Sequence, residues 1–144
     1  MNKTCNPYVG PIALIGRILI AVLFLGSGFH KLVNPAATQA YITSVGVSMP
    51  VLAYYVSLVA EIGCGTLLLI GYRTRFAAFG LALFTAAAAA LFHSNFADQN
   101  QMIHFMKNIG IIGGLLQSVA FGAGPLSLDR RREKAIAQSN GAGG

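Results

Sequence analysis

The sequence is short of charge. Only 10% of its 144 residues are charged, four Asp and Glu against ten Lys and Arg, while 55% are hydrophobic. Soluble domains carry about 25% charged residues, so that class is excluded and the apolar excess assigns the chain to a membrane. Cysteine is scarce as well: Cys5 and Cys64 are the whole complement, and no C-x-x-C pair occurs. That excludes a disulfide framework and a dithiol active site. Cys64 reads as a packing residue, because a thiol in apolar surroundings ionises poorly. Strict apolar-polar alternation over short segments is absent, which excludes a membrane β-barrel and leaves helices. No internal repeat is found. No A-x-A-like site follows the first apolar run, which contains Arg17 and is longer than a signal-peptide core, so it stays as a helix.

What is present is a set of apolar stretches of about the 20 residues that a helix needs to cross a bilayer. They cover residues 11–32, 50–72, 76–93 and 102–122. The pattern predicts an all-α fold: a four-helix transmembrane bundle with antiparallel up-down neighbours, occupying residues 1–130. The segments "VNPAAT" and "SVGVSMP" supply turn chemistry between the first two helices, and "GYRTR" is so short that the second and third must be adjacent and antiparallel. Residues 131–144 form a polar, Gly-rich tail expected to be disordered.

Four spans put the N-terminus, "GYRTR" and the tail on one side. That side holds Lys3, Arg73, Arg75, Arg130, Arg131, Arg132 and Lys134, whereas only Lys31 and Lys107 lie at the margin of the other. The positive-inside rule then predicts a multi-pass protein of a bacterial-type inner membrane with both termini cytoplasmic. The net charge of +6 needs no nucleic-acid partner; it reads as topology and attraction to anionic headgroups of the lipid bilayer.

Charges inside the spans carry more information, since each costs about 2.5 to 3.5 kcal/mol at membrane depth and survives by facing the bundle interior with a partner. Arg17 lies roughly 9 Å inside the cytoplasmic end of its helix and Glu61 roughly 16 Å inside its own, counted at 1.5 Å per residue. A long guanidinium side chain can span the difference, so Arg17 and Glu61 are expected to form a structural ion pair. Steps of three and four place Arg17, Ala21, Phe24, Gly28 and Lys31 on one stripe of the first helix, and Tyr54, Ser57, Glu61 and Gly65 on one stripe of the second. Lys107, Gly110 or Ile111, Gly114 and Ser118 make the corresponding stripe of the fourth. The small residues among these also suit close helix packing, as in the G-x-x-x-G spacing of Gly110 and Gly114.

At the opposite end His30, Lys31, His93, "SNFADQNQ", His104, Lys107 and Asn108 gather near the surface, where an interfacial belt of snorkelling side chains is one reading. No close His pair on one helix face and no carboxylate beyond Asp98 is evident there, so no metal site is predicted.

Several of these motifs together resemble the DoxX-like family of small four-helix membrane proteins. They are "GRILIAVLFLGSGFHKL", Glu61 with "GCGTLLLIGYRTR", "FMKNIGIIGGLL", and "GAGPLSLD" from Gly122 to Asp129, in that order over residues 10–130. Arg17, Lys31, Glu61, Arg75, Lys107 and Asn108 match the recurrent polar positions of the family; His30, His93 and His104 do not. The resemblance implies, in some members, a subunit associated with a terminal quinol oxidase, quinone-coupled thiosulfate oxidation, or a response to catechol and quinone stress. No motif supplies haem or iron-sulfur ligands.

Two readings follow. In the first the chain is a quinone-linked oxidoreductase subunit: Arg17, Lys31, Lys107 and Asn108 bind a quinone or anionic headgroup, and Glu61 is the catalytic proton relay. In the second it is a non-catalytic membrane partner or assembly component whose buried charges are structural. Association with other membrane redox subunits and with further copies of the chain stays open.

Overall fold

A computed structural model describes residues 8–141; Lys3 and Cys5, used above, lie outside them, as do residues 142–144. The described residues form six helices and no strand: α1 (Val9–Val33), α2 (Pro35–Ser44), α3 (Pro50–Ile70), α4 (Thr74–Phe92), α5 (Gln99–Phe121) and α6 (Leu128–Gly141). Of these, α1, α3 and α4 are long and apolar enough to cross a membrane. The fourth expected span corresponds to α5, which has 23 residues but is diluted by His104, Lys107, Asn108 and Gln117.

The most extensive helix contact joins α4 and α5, and α1 packs against α3. Ala21, Phe24, Leu68, Ala78, Leu81, Ala82 and Leu115 form the common core. Three of the seven are alanines, because helices in lipid gain little from burying apolar area and associate through close van der Waals contact instead. Large apolar side chains such as Ile12, Leu19, Val59 and Phe76 point outward, where lipid satisfies them.

The expected stripes on α1 and α3 are the buried faces: Arg17, Ala21, Phe24 and Gly28 on one, Tyr54, Ser57, Glu61 and Gly65 on the other. The short second connection is a Schellman turn, with Tyr72 N–H donating to Leu67 O at 3.0 Å and Gly71 N–H to Leu68 O at 3.2 Å around Gly71 at φ 70°.

Two expectations need correction. The first connection contains a helix, α2, that turn chemistry alone did not indicate; Pro35 stands in its first turn and no glycine interrupts it. The tail is helical through Gly141 instead of disordered from residue 131. Ser127 Oγ accepts from Arg130 N–H at 3.2 Å, capping the helix, and Arg130 pairs with Glu133 at 3.0 Å one turn along.

Candidate functional site

Two clusters of buried polar groups lie at opposite ends of the α1–α3 contact. At the first, Arg17 is only 4% exposed. Its Nη1 donates to Ala123 O at 2.6 Å, and its Nη2 donates to Leu126 O at 3.0 Å and Leu69 O at 3.4 Å. Arg17 thus ties the end of α3 and the α5–α6 connection to α1. Gly71 makes the approach feasible, since a Cβ there would stand 2.6 Å from Arg17 Nη1 and 2.7 Å from Ser127 Cβ. Asp129 completes the cluster: its carboxylate accepts from the N–H groups of Arg73 at 2.7 Å and Thr74 at 2.9 Å, and its own N–H donates to Gly71 O. Burial pushes the Asp129 carboxyl up, but the Thr74 and Arg73 N–H groups and the Arg17 charge outweigh it, and the net direction is below the usual carboxylate range.

This arrangement overturns the expected ion pair of Arg17 with Glu61. Arg17 stands beside Gly71, and Glu61 lies about ten residues earlier on α3, roughly 15 Å away along the helix. Counting depth from each helix end assumed that the ends are level. They are not: α1 runs past the end of α3, so Arg17 meets the terminal carbonyls and the long connection packed on them.

Glu61 instead pairs with Lys31, whose Nζ lies 2.6 Å from Oε1. Ser27 Oγ donates to the same oxygen at 3.0 Å, and Tyr54 OH donates to Lys31 O at 3.2 Å, anchoring the end of α1. Lys31 Nζ also sits 5.6 Å from the centroid of the Phe84 ring, within cation–π range. The backbone at Glu61 is unusual: Val59–Cys64 is a π-helical segment within α3. Such turns are rare and recur at functional sites. Gly28 permits α1 to press against it, since a Cβ there would stand 2.6 Å from Ile62 Cγ1 and 3.2 Å from Glu61 Cβ.

The second carboxylate oxygen, Glu61 Oε2, is buried and has no hydrogen-bond partner among the described residues. Glu61 lines a cavity of about 410 Å³, together with Lys31, Ser27, Phe84, Asn108 and His93. Thr38, Tyr41 and Ile42 of α2 form part of its wall, and Tyr41 stacks on Phe92 at 5.5 Å, so the helix that sequence reasoning missed helps to enclose the site. Asn108 reaches the cavity from α5 and its side-chain amide makes no hydrogen bond among the described residues.

Of the expected ligand-binding residues, Lys31 and Asn108 meet at this cavity with Glu61. Arg17 is committed to backbone carbonyls at the other cluster. Lys107 is exposed and does not line the cavity; of the stripe expected on α5, Ile111 does line it and Gly114 lies against Ile20 of α1, and Asn108 and Leu115 complete the inward face. A lysine near a helix end reaches water along its aliphatic stem, and the amide next to it takes the interior. His30 is exposed. His93 and His104, which sequence spacing did not join, stack at 5.0 Å with rings 17° apart, and His93 Nδ1 lies 2.8 Å from Gln101 Oε1. The turn between α4 and α5 brings them together. Among the described residues no group of three or more His, Cys, Asp or Glu side chains is placed to hold a metal. Lys31 was legible as an interior residue because it continues the Arg17, Ala21, Phe24, Gly28 stripe; its pairing was not.

No solved structure matches the chain. Two inner membrane proteins of Escherichia coli (strain K12) are similar to it over most of their length. YqjF is 40% identical over 121 residues, covering 84% of this chain and 92% of that protein. YphA is 34% identical over 125 residues, covering 83% and 89%. The DoxX family model matches residues 12–94, which carry Arg17, the Lys31–Glu61 pair and the π turn. With the long apolar helices and two such relatives, this chain belongs to the DoxX family of membrane proteins.

Proposed function

We propose that the cavity beside Glu61 holds the headgroup of a membrane quinone or quinol, and that the protein serves as a subunit of a quinone-linked oxidoreductase. The observation that carries this reading is the buried, unpartnered Glu61 Oε2 on a π turn at the wall of a cavity of about 410 Å³. That volume lies within the range of about 300 to 1,000 Å³ usual for small-molecule sites, which are apolar with a few convergent polar groups. The lining fits such a headgroup: Phe24, Phe84 and Ile111 offer apolar and aromatic walls, and Glu61, Lys31 and Asn108 offer an acceptor, a cation and an amide.

A bound quinone supplies a carrier of two electrons and two protons. The chain supplies the rest. Glu61 Oε2 accepts a hydrogen bond from a headgroup hydroxyl and is placed to take its proton. Lys31 and Ser27 hold the other oxygen, so the carboxylate keeps its direction while its charge is balanced. The Asn108 amide would offer a donor to the headgroup, and the apolar walls would keep water from the proton path. Electrons pass to or from a partner redox subunit. In this reading α1, α3, α4 and α5 are the four spans. The Arg residues of the α3–α4 turn and of α6 favour cytoplasmic termini.

A second reading, a non-catalytic partner or assembly component, draws support from the Arg17 cluster, where a buried charge is used wholly for architecture. The Glu61–Lys31 pair would then fix the register of α1 on α3. Solvent extraction of the purified protein distinguishes the two. The quinone reading expects close to one quinone per chain, retained in Lys107→Ala and lost in Glu61→Gln. Quinone no more abundant than in a control membrane protein, with no binding of added analogue, would favour the second.

A further inference from the structure

We propose that the cleft between the α3–α4 turn, the α5–α6 connection and α6 binds the phosphodiester headgroup of an anionic phospholipid. The cleft, about 850 Å³ in volume, is remote from the Glu61 cavity and is lined by Arg73, Arg75, Arg130 and Arg132, with Phe76 and Phe121 beside them.

Its carboxylates are already engaged. Asp129 takes the backbone N–H groups of Arg73 and Thr74, and Glu133 pairs with Arg130 at 3.0 Å. The guanidinium groups of Arg73, Arg75 and Arg132 therefore have no carboxylate partner among the described residues. Three unpaired cations around one concavity repel each other until an anion joins them, and a planar guanidinium is suited to pair with a phosphate through two parallel hydrogen bonds.

The backbone is built to hold them there. Arg73 is the one non-glycine residue with positive φ among those described, at 46°, a conformation that glycine adopts freely and an L residue resists. The Asp129 carboxylate fixes it through the 2.7 Å bond to its N–H. Across the cleft, Gly122, at φ 77°, lies against the Arg75 guanidinium: the position of a Cβ there is 3.6 Å from Nε and 3.9 Å from Nη2, ordinary contact distance. A positive φ held by a long basic side chain, where glycine would relieve the strain, points to use of that side chain.

The neighbouring apolar surface selects a lipid over a soluble anion. Phe76 and Phe121 are each 78% exposed and stand where the apolar stretches of α4 and α5 meet the arginines. A diacyl phosphodiester would set its headgroup among the guanidinium groups and its chains along these rings, at the membrane surface that the basic residues mark.

The test uses the full-length protein in a neutral detergent, titrated with short-chain phosphatidylglycerol or phosphatidylcholine and read by native mass spectrometry. Phosphatidylglycerol is expected to bind in preference. Arg75→Gln and Arg132→Gln should each weaken it about fivefold, the equivalent of roughly 1 kcal/mol per basic residue near a headgroup. Arg131→Gln removes the same charge outside the cleft and should leave binding unchanged. Both cleft arginines are on the surface, and unchanged melting would show that the variants fold. Equal weakening by Arg131→Gln would reduce the effect to net charge and overturn the site. So would equal binding of the two lipids. Displacement of the lipid by millimolar inorganic phosphate or glycerol phosphate would overturn the lipid assignment in favour of a soluble anion.

Discussion

The Arg17 and Glu61 clusters are both built around a charge that is 4% exposed, and they differ in what surrounds it. Arg17 is enclosed by three carbonyl oxygens from two stretches of the chain, Leu69 at the end of α3 and Ala123 and Leu126 in the α5–α6 connection, with no room beside it even for a Cβ on Gly71. Glu61 has half of its carboxylate satisfied by Lys31 and Ser27, half unpartnered, and a cavity alongside. Arg17 also keeps one buried atom without a partner among the described residues, Nε, but both of its Nη atoms are bound to backbone carbonyls and it lines neither cavity, as suits an architectural charge. The Glu61 oxygen left over faces open volume from a rare helical turn, which is the difference on which the proposed ligand site rests. Composition alone gives the two the same appearance.

Four measurements can break or sharpen that contrast. The largest effect is expected at Arg17. Arg17→Ala strands carbonyls at the end of α3 and in the α5–α6 connection, and charge-assisted hydrogen bonds are worth about 1.5 to 3 kcal/mol each. A loss of roughly 3 to 5 kcal/mol in detergent unfolding is expected, and a loss under 1 kcal/mol would place Arg17 outside the scaffold. Next is the Lys31–Glu61 pair. Lys31→Met leaves a carboxylate without its counter-ion at a site where its side chain is 5% exposed, which should cost about 2 to 4 kcal/mol. Glu61→Gln should cost less, because the Lys31 side chain, 22% exposed, can turn toward water. A double-mutant cycle should show coupling between Lys31 and Glu61 and additivity between Arg17 and Glu61. Coupling only in the latter pair would restore the partnership that the structure rejects.

Gly28→Ala tests the close approach at the π turn. Its Cβ would meet Ile62 Cγ1 at 2.6 Å, so α1 must shift or the isoleucine must leave its rotamer, at about 1 to 3 kcal/mol. Gly26→Ala, with open space at the same helix end, is the neutral control.

The smallest effect concerns Asp129, the acidic member of the Arg17 cluster. Its folded carboxyl lies below the ordinary value of 3.8, so its contribution is fully present above that value and is lost as pH falls through the lower, folded one. Melting of the wild type should therefore weaken on acidification below about pH 4 by more than melting of Asp129→Asn. Parallel acid limbs for the two proteins would remove Asp129 from the cluster.

These contrasts also show what the sequence could convey. The inward faces of α1 and α3 were readable because three- and four-residue steps from Arg17 to Gly28, and from Tyr54 to Gly65, follow the helix period. The families of charge were readable for the same reason. Partner choice was not, because it depends on the relative sliding of two helices, and helix ends read from apolarity do not lie level. Lys107 and Asn108 were both expected at the site and only Asn108 lines the cavity, because a lysine and an asparagine side by side are both polar and only packing decides which is enclosed. The π turn leaves no mark in the residue pattern, and α2 was obscured by turn-like residues on both sides.

The central claim is that the free oxygen of Glu61 receives a ligand while the rest of the buried charge holds the fold. Titrating a short-chain hydroquinone into the detergent-solubilised protein, by calorimetry, tests it directly. Glu61→Gln keeps the volume and the Ser27 contact but removes the carboxylate, and Lys107→Ala removes an exposed charge nearby. The account expects Kd to rise tenfold or more in Glu61→Gln, to hold within twofold in Lys107→Ala, and both variants to melt as folded proteins. Equal affinity in wild type and Glu61→Gln would contradict it, and the pair with Lys31 would then join Arg17 as scaffold.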